Sequence, residues 1–171
     1  MRSAKKRLKT EQNETIDLSD YVSATSTKAY MLKDPILDWF KYNRSKKIIE
    51  SQCTDTISTF MMSKGIEFEK HIDLLLKNVF DGDYVDIDGC SNPRSQEKYQ
   101  QTLDAMVSGV PIIFSGLLWN HNDKTYGVPD IIIRSDYLKE LVHYRHLSPK
   151  EEKTGSLFSK RYHYIIVDIK F

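Results

Sequence analysis

Apolar residues recur at three- and four-residue steps between positions 56 and 80, at Phe60, Phe68, Ile72, Leu75, Leu76 and Val79. That is the period of a helix with one buried face. Gly65 interrupts it, which predicts two helices, or one helix passing close to another backbone. A further helix is predicted from about Ser95 to Ser108, with Tyr99, Leu103, Met106 and Val107 inward and Gly109 as its stop. The texture then changes to period two and continuous apolar runs. Val110 to Trp119 is β-prone, His121-Asn-Asp-Lys124 reads as a turn, and Ile131-Ile-Ile133 has the character of a strand buried on both faces. Residues 135–160 are polar and irregular, with a helix expected near Tyr137 to His146, and Tyr162 to Phe171 is again β-prone.

Upstream, residues 1–18 are polar and lysine-rich and read as a basic, disordered tail; a domain is expected over 19–171. Ser23-Ala-Thr-Ser26 is read as capping a short helix to about Leu32. Asp34-Pro35 is read as an N-cap with proline at the first helical position, followed by a buried face of Ile36, Leu37, Trp39 and Phe40. The acidic stretch from Asp81 to Gly89 resembles a calcium loop only superficially. Val85 and Asp86 stand where an EF-hand needs a ligand and a glycine, so a solvated loop or short strand is expected. The order of helices, strand, strand, insertion, strand predicts an α/β (α+β) layout, a small mixed sheet flanked by helices.

Composition sets bounds on what such a fold does. At 171 residues the chain is long enough for one domain with a real core. Apolar residues make up 40% and charged residues 29%, as in ordinary globular proteins. The net charge of +1 gives no global pull toward nucleic acid, although Arg2, Lys5, Lys6, Arg7 and Lys9 form a local basic cluster. That cluster is either a solvated tail, or a tether to backbone phosphate or a nuclear import signal. No run approaches the roughly 18 apolar residues of a membrane span, and the start does not resemble a secretory signal. Cys53 and Cys90 are the only cysteines, too few for a disulfide framework or an iron–sulfur cluster. An intracellular, reducing compartment (cytoplasmic, nuclear or viral) is the simplest expectation. Trp39 and Trp119 read as core. The five histidines show no ligand spacing, and His143-Tyr-Arg-His146 reads as loop surface or as a stacking contact for nucleic acid.

The chemistry-bearing residues lie at the ends of the last two β-prone runs. Pro129-Asp130 opens one, and Asp168-Ile-Lys170 closes the other. Strand alternation puts Asp168 and Lys170 on one side and Ile169 on the other, in apolar packing. If the two strands are neighbours, Asp130 meets Asp168, and two carboxylates held close call for a cation between them. Oxygen-only ligands favour Mg²⁺ or Mn²⁺. Taken singly, each residue has an ordinary alternative: Asp130 as a strand-end turn residue, Glu69 as a solvated helix carboxylate, Lys170 as a surface lysine on an edge strand.

The combination resembles the defining motif of the PD-(D/E)XK nucleases, of restriction-endonuclease-like fold. The surroundings resemble the RecB-like branch, with relatives in bacteria, phages and large DNA viruses. Gly65-Ile-Glu-Phe-Glu69 matches that branch's glycine followed four residues later by a histidine or glutamate on a helix, and Glu67 is the weaker substitute. Cluster-bearing members carry Cys-Pro where this chain has Asp34-Pro35, which argues against an iron–sulfur cluster. The resemblance spans Tyr21 to Phe171. It implies a metal-dependent deoxyribonuclease of exonuclease or recombination and repair type. Glu69, Asp130, Asp168 and the Ile169 main-chain carbonyl would hold Mg²⁺ or Mn²⁺, and Lys170 would orient the attacking water. Family members usually continue beyond Asp-x-Lys with a helix carrying a glutamine and a tyrosine, then a strand. The chain stops one residue after Lys170. The resemblance therefore implies a truncated domain, completed by a partner chain or a missing C-terminal segment. The alternative is a remnant that binds nucleic acid or protein without cutting.

Overall fold

Ile131, Ile132 and Ile133 are 2%, 1% and 0% exposed, and the fold is built outward from them. The computed structural model describes residues 17–27, 31–33, 36, 39, 43, 56–142, 147–155 and 161–170. The tail before Asp17, Asp34-Pro35, Leu37, Phe40 and His143 to His146 lie outside the described residues. The isoleucines form β6 (Ile131–Arg134), which is antiparallel to β3 (Ile112–Phe114) on one side and to β7 (Tyr164–Val167) on the other. β2 (Tyr84–Asp86) adds parallel to β3, so a mixed four-stranded sheet runs β2-β3-β6-β7. A strand with neighbours on both edges and helices on both faces has no solvated side, which is why three successive isoleucines are stable here.

Two helices cover that sheet. α1 (Thr56–Val79) lies on the face carrying Ile112, Ile131, Ile133, Ile165 and Val167, and contributes Leu76, with Phe80 just beyond its end. α2 (Gln96–Ser108) connects β2 to β3 as the crossover a parallel pair needs. Its Met106 packs with Ile87, Ile113 and Ile132 on the other face. Local signals define α2 at both ends. Ser95 accepts from the Lys98 N–H, and Gly109 takes the left-handed conformation at φ 81° while its N–H bonds the Ala105 and Met106 carbonyls. Thr102 is fully buried; its hydroxyl donates to the Lys98 carbonyl and accepts from the Leu117 N–H, both at 2.9 Å.

A second, three-stranded sheet was not anticipated. The β-prone run Val110 to Trp119 breaks at Ser115-Gly116, and Ser115 adopts φ 51°. Its second half becomes β4 (Leu118–Asn120), which forms a hairpin with β5 (Thr125–Gly127) across the expected turn. β1 (Val22–Ser23) adds parallel to β5, giving the order β1-β5-β4. Leu18, Tyr21, Leu117 and Trp119 form its core, so Leu18, read as part of the tail, packs inside the fold.

Several sequence expectations are corrected. α1 is one continuous helix through Gly65, where an added Cβ would meet nothing within 4 Å. Phe60, Leu75 and Val79 face outward rather than into the core, because the sheet reaches only the stripe through Ile72 and Leu76. Ser23 is a strand residue, followed by a short 3-10 helix, Ala24–Thr27; residues 28–30 of the expected helix lie outside the described residues. Ile36 and Trp39 are exposed, so Trp39 is not core. The helix expected near Tyr137 is α3 (Leu138–Leu141), four residues long; α4 (Pro149–Glu152) follows, closed by a Ser148–Glu151 capping box. No helix among the described residues is long and apolar enough to cross a membrane.

Candidate active site

The β6–β7 register pairs Ile131 with Val167, and one further step sets Asp130 opposite Asp168 at the end of the sheet. Ile165, Val167 and Ile169 pack in the α1-side core. Alternation therefore places Ile166, Asp168 and Lys170 on the other face. The carbonyl of Asp130 accepts from the Ser115 N–H at 2.8 Å, and its Oδ2 accepts from the Ile169 N–H at 2.7 Å. Both ends of Asp130 are thus tied to neighbouring strands, which fixes its carboxyl against Asp168. The two carboxyl groups are within hydrogen-bond reach of each other. Lys170 pairs with Asp168 through Nζ and Oδ2, and their side chains are 80% and 60% exposed.

The two carboxyl groups are not equivalent. Burial pushes the Asp130 carboxyl above the ordinary carboxylate range; Asp168 and Glu69 push the same way, against the Ile169 N–H. The Lys170 ammonium, and then the hydrogen bond from Asp130, hold Asp168 below that range. Asp168 in turn raises Lys170, so the ammonium stays protonated at neutral pH.

Glu69 joins by charge rather than by contact. It continues the core-facing stripe of α1 (Glu69, Ile72, Leu76), and its charge acts on both Asp130 and Lys170. Glu67 faces elsewhere and pairs with Lys64 at 2.6 Å. Among the described residues no three His, Cys, Asp or Glu side chains converge into a closed metal cage. At Ile169 the contact seen is the N–H on Asp130. The donors are of the oxygen type that a hard divalent ion takes: the carboxyl groups of Asp130 and Asp168 at one end of the sheet, with Glu69 acting on Asp130 through its charge.

Beside this pair lies an open groove of about 750 Å³ that sequence reasoning missed. The β4–β5 hairpin, the turn after β1, the Cys90–Pro93 loop and Ile166 of β7 wall it, and Pro129 joins it to Asp130. The Cys90 loop lies close because Gly89 is pressed on β3: its N–H bonds the Ser115 carbonyl at 2.8 Å, and a Cβ there would sit 2.6 Å from that oxygen. Trp119 stacks on Tyr99 with centroids 4.4 Å apart, and its buried indole N–H has no acceptor among the described residues. His121 sits edge-on to this pair, its ring nitrogens hydrogen-bonded to the hydroxyls of Tyr21 at 2.7 Å and Tyr99 at 3.3 Å. The groove joins residues from five separated stretches, so no local pattern announces it; only the aromatic alternation through Trp119 and Tyr126 hints at it. Comparison of the chain with family models, curated proteins and solved structures gave no match.

Proposed function

We propose that the protein is a metal-dependent phosphodiesterase acting on DNA, of the PD-(D/E)XK kind. The observation that carries this reading is Asp130 opposite Asp168, in hydrogen-bond reach, with Lys170 on the same face. Asp130 and Asp168 would hold Mg²⁺ or Mn²⁺, with Glu69 and the Ile169 carbonyl completing the shell. A bound ion of this kind acidifies a water and neutralises charge growing on the phosphate. The Ile169 N–H holds Asp130 in one orientation, which removes a reorganisation cost. Lys170, kept protonated by Asp168, donates to the attacking water or to the phosphate rather than abstracting a proton. β7 has β6 as its neighbour among the described residues, and its other edge is where a partner chain would add a strand.

The second reading is a scaffold that binds nucleic acid or protein without cutting it. The lack of a closed three-ligand cage among the described residues favours it. Incubation with DNA and Mg²⁺ or Mn²⁺ separates the two. Metal-dependent cleavage is expected, with Asp168→Ala reducing it to background while circular dichroism stays unchanged. Cleavage that survives Asp168→Ala, or that ignores chelation, overturns the proposal.

A further inference from the structure

We infer that Gly89, acting through the main chain of Ser115, is a positioning residue that sets the Asp130 carboxyl against Asp168. This rests on the reading of that pair as a metal site and names what holds its two ligands in register. A row of hydrogen bonds crosses the end of the sheet in its own strand order, β2-β3-β6-β7. Gly89 follows β2, Ser115 follows β3, Asp130 precedes β6 and Ile169 follows β7. The Gly89 N–H donates to the Ser115 carbonyl at 2.8 Å, the Ser115 N–H to the Asp130 carbonyl at 2.8 Å, and the Ile169 N–H to Asp130 Oδ2 at 2.7 Å. In a regular antiparallel pair a residue sends its N–H and its carbonyl toward the same neighbouring strand. Ser115 instead sends its N–H toward β6 and its carbonyl toward the loop after β2. Its left-handed backbone, at φ 51°, turns the two apart.

Both flanks of this corner are anchored, so a push at Gly89 reaches Asp130. On one side Lys98 of α2 holds the Gly89 loop: its Nζ donates to the Asp88 carboxylate at 2.9 Å, to the Asp88 carbonyl and to the Ser91 hydroxyl. On the other side the Leu117 N–H donates to the fully buried Thr102 hydroxyl at 2.9 Å. A Cβ at Gly89 would stand 2.6 Å from the Ser115 carbonyl oxygen, 3.1 Å from Val128 Cγ1 and 3.4 Å from Leu117 Cβ. The Ser115 oxygen is main chain and has no rotamer with which to yield. Restoring that contact to even 3.0 Å moves it by about 0.4 Å, whereas a well-formed metal site holds its ligand distances to within about 0.2 Å. The missing side chain of Gly89 is therefore felt at a ligand two strands away.

The Ile169 amide reports the position of the Asp130 carboxyl with no metal present, because its hydrogen bond ends on that group. Amide hydrogen exchange of the full chain, labelled with ¹⁵N, is read by NMR in EDTA. Asp130→Ala removes the acceptor and sets the rate of an Ile169 amide released from it. Gly89→Ala is expected to speed Ile169 exchange about tenfold or more, with Ile132 and Ile166 in the β6–β7 ladder unchanged. Gly82→Ala is the control for lost stability alone: Gly82 also has a positive φ, 84°, and a Cβ there meets nothing within 4 Å. It is expected to leave Ile169 unchanged relative to Ile132. Lys98→Met releases the loop without adding bulk at the corner. It reads the same tie should Gly89→Ala not fold, with Ile169 exchange about threefold faster. Calorimetric titration with Mn²⁺ gives the second readout. Gly89→Ala is expected to raise the Kd about tenfold or more, the usual effect of losing a group that orients a ligand. Ile169 protection retained in Gly89→Ala, or in Lys98→Met where the first does not fold, overturns the inference. Equal loss of that protection in Gly82→Ala overturns it as well. The two readings fail separately. A wild type that binds no Mn²⁺ removes the metal site and leaves the exchange result standing; Mn²⁺ bound with equal Kd by wild type and Gly89→Ala removes the positioning role and keeps the site.

Discussion

Replacing Asp130 by asparagine should make the metal-free protein more stable while removing the proposed metal-dependent cleavage. The side-chain oxygen that accepts from the Ile169 N–H at 2.7 Å survives the change, so the backbone tie is kept. Its charge-assisted part is lost, at a cost of about 0.5–1 kcal/mol. Against that, the change relieves burial of an anion and its repulsion by Asp168 and Glu69, the causes that raise its pKa. Two charges about 4 Å apart repel by ~1 kcal/mol in water and ~4 kcal/mol at an effective dielectric of 20. Asp168 is 60% exposed and paired with Lys170, so solvent and the ammonium screen most of this and the lower end applies. With the desolvation relief the net gain is on the order of 1 kcal/mol, or about 2–4 °C in Tm for a chain of this size. The sign follows from linkage. A carboxyl with a raised folded pKa contributes stability that is fully present below its unfolded value, about 3.9, and is lost as pH rises through the folded one. The asparagine advantage is therefore absent near pH 4 and grows as pH rises through the folded pKa. Thermal unfolding in EDTA across that range measures it. Added Mn²⁺ should then reverse the order, since a ligand at a hundred times its Kd adds about 2.7 kcal/mol to the protein that binds it. An asparagine variant that melts below the wild type at pH 7 in EDTA would show that Asp130 is an ordinary structural carboxylate and refute the reasoning.

Two further outcomes test the site and the scaffold. Glu69→Gln should weaken Mn²⁺-induced stabilisation and metal-dependent cleavage, whereas Glu67→Gln, at the residue paired with Lys64, should leave both intact; equal effects would remove Glu69 from the site. Thr102→Val keeps the shape but strands the buried Leu117 N–H, and should lower stability by about 1–3 kcal/mol in urea unfolding. A change below a few tenths of a kcal/mol would mean that this amide finds another partner.

The sequence by itself determined whatever depends on near neighbours. α2 was legible at both ends because Ser95 and Gly109 act on backbone groups within four residues. The β6 strand was legible because three successive isoleucines suit a position with no solvated face. Asp168, Lys170 and the inward Ile169 followed from the alternation of one strand. Tertiary structure alone decided which strands pair, and with that the site's geometry. Parallel pairing of β1 with β5 joins residues about a hundred positions apart, and no local signal encodes it. The break at Ser115-Gly116 sends a single β-prone run into two sheets, opening the groove on one side of Pro129 and leaving Asp130 on the other. The outward turn of Phe60, Leu75 and Val79 has the same origin. Periodicity states that a helix has an apolar stripe, whereas the reach of the sheet beneath it decides how much of that stripe is buried.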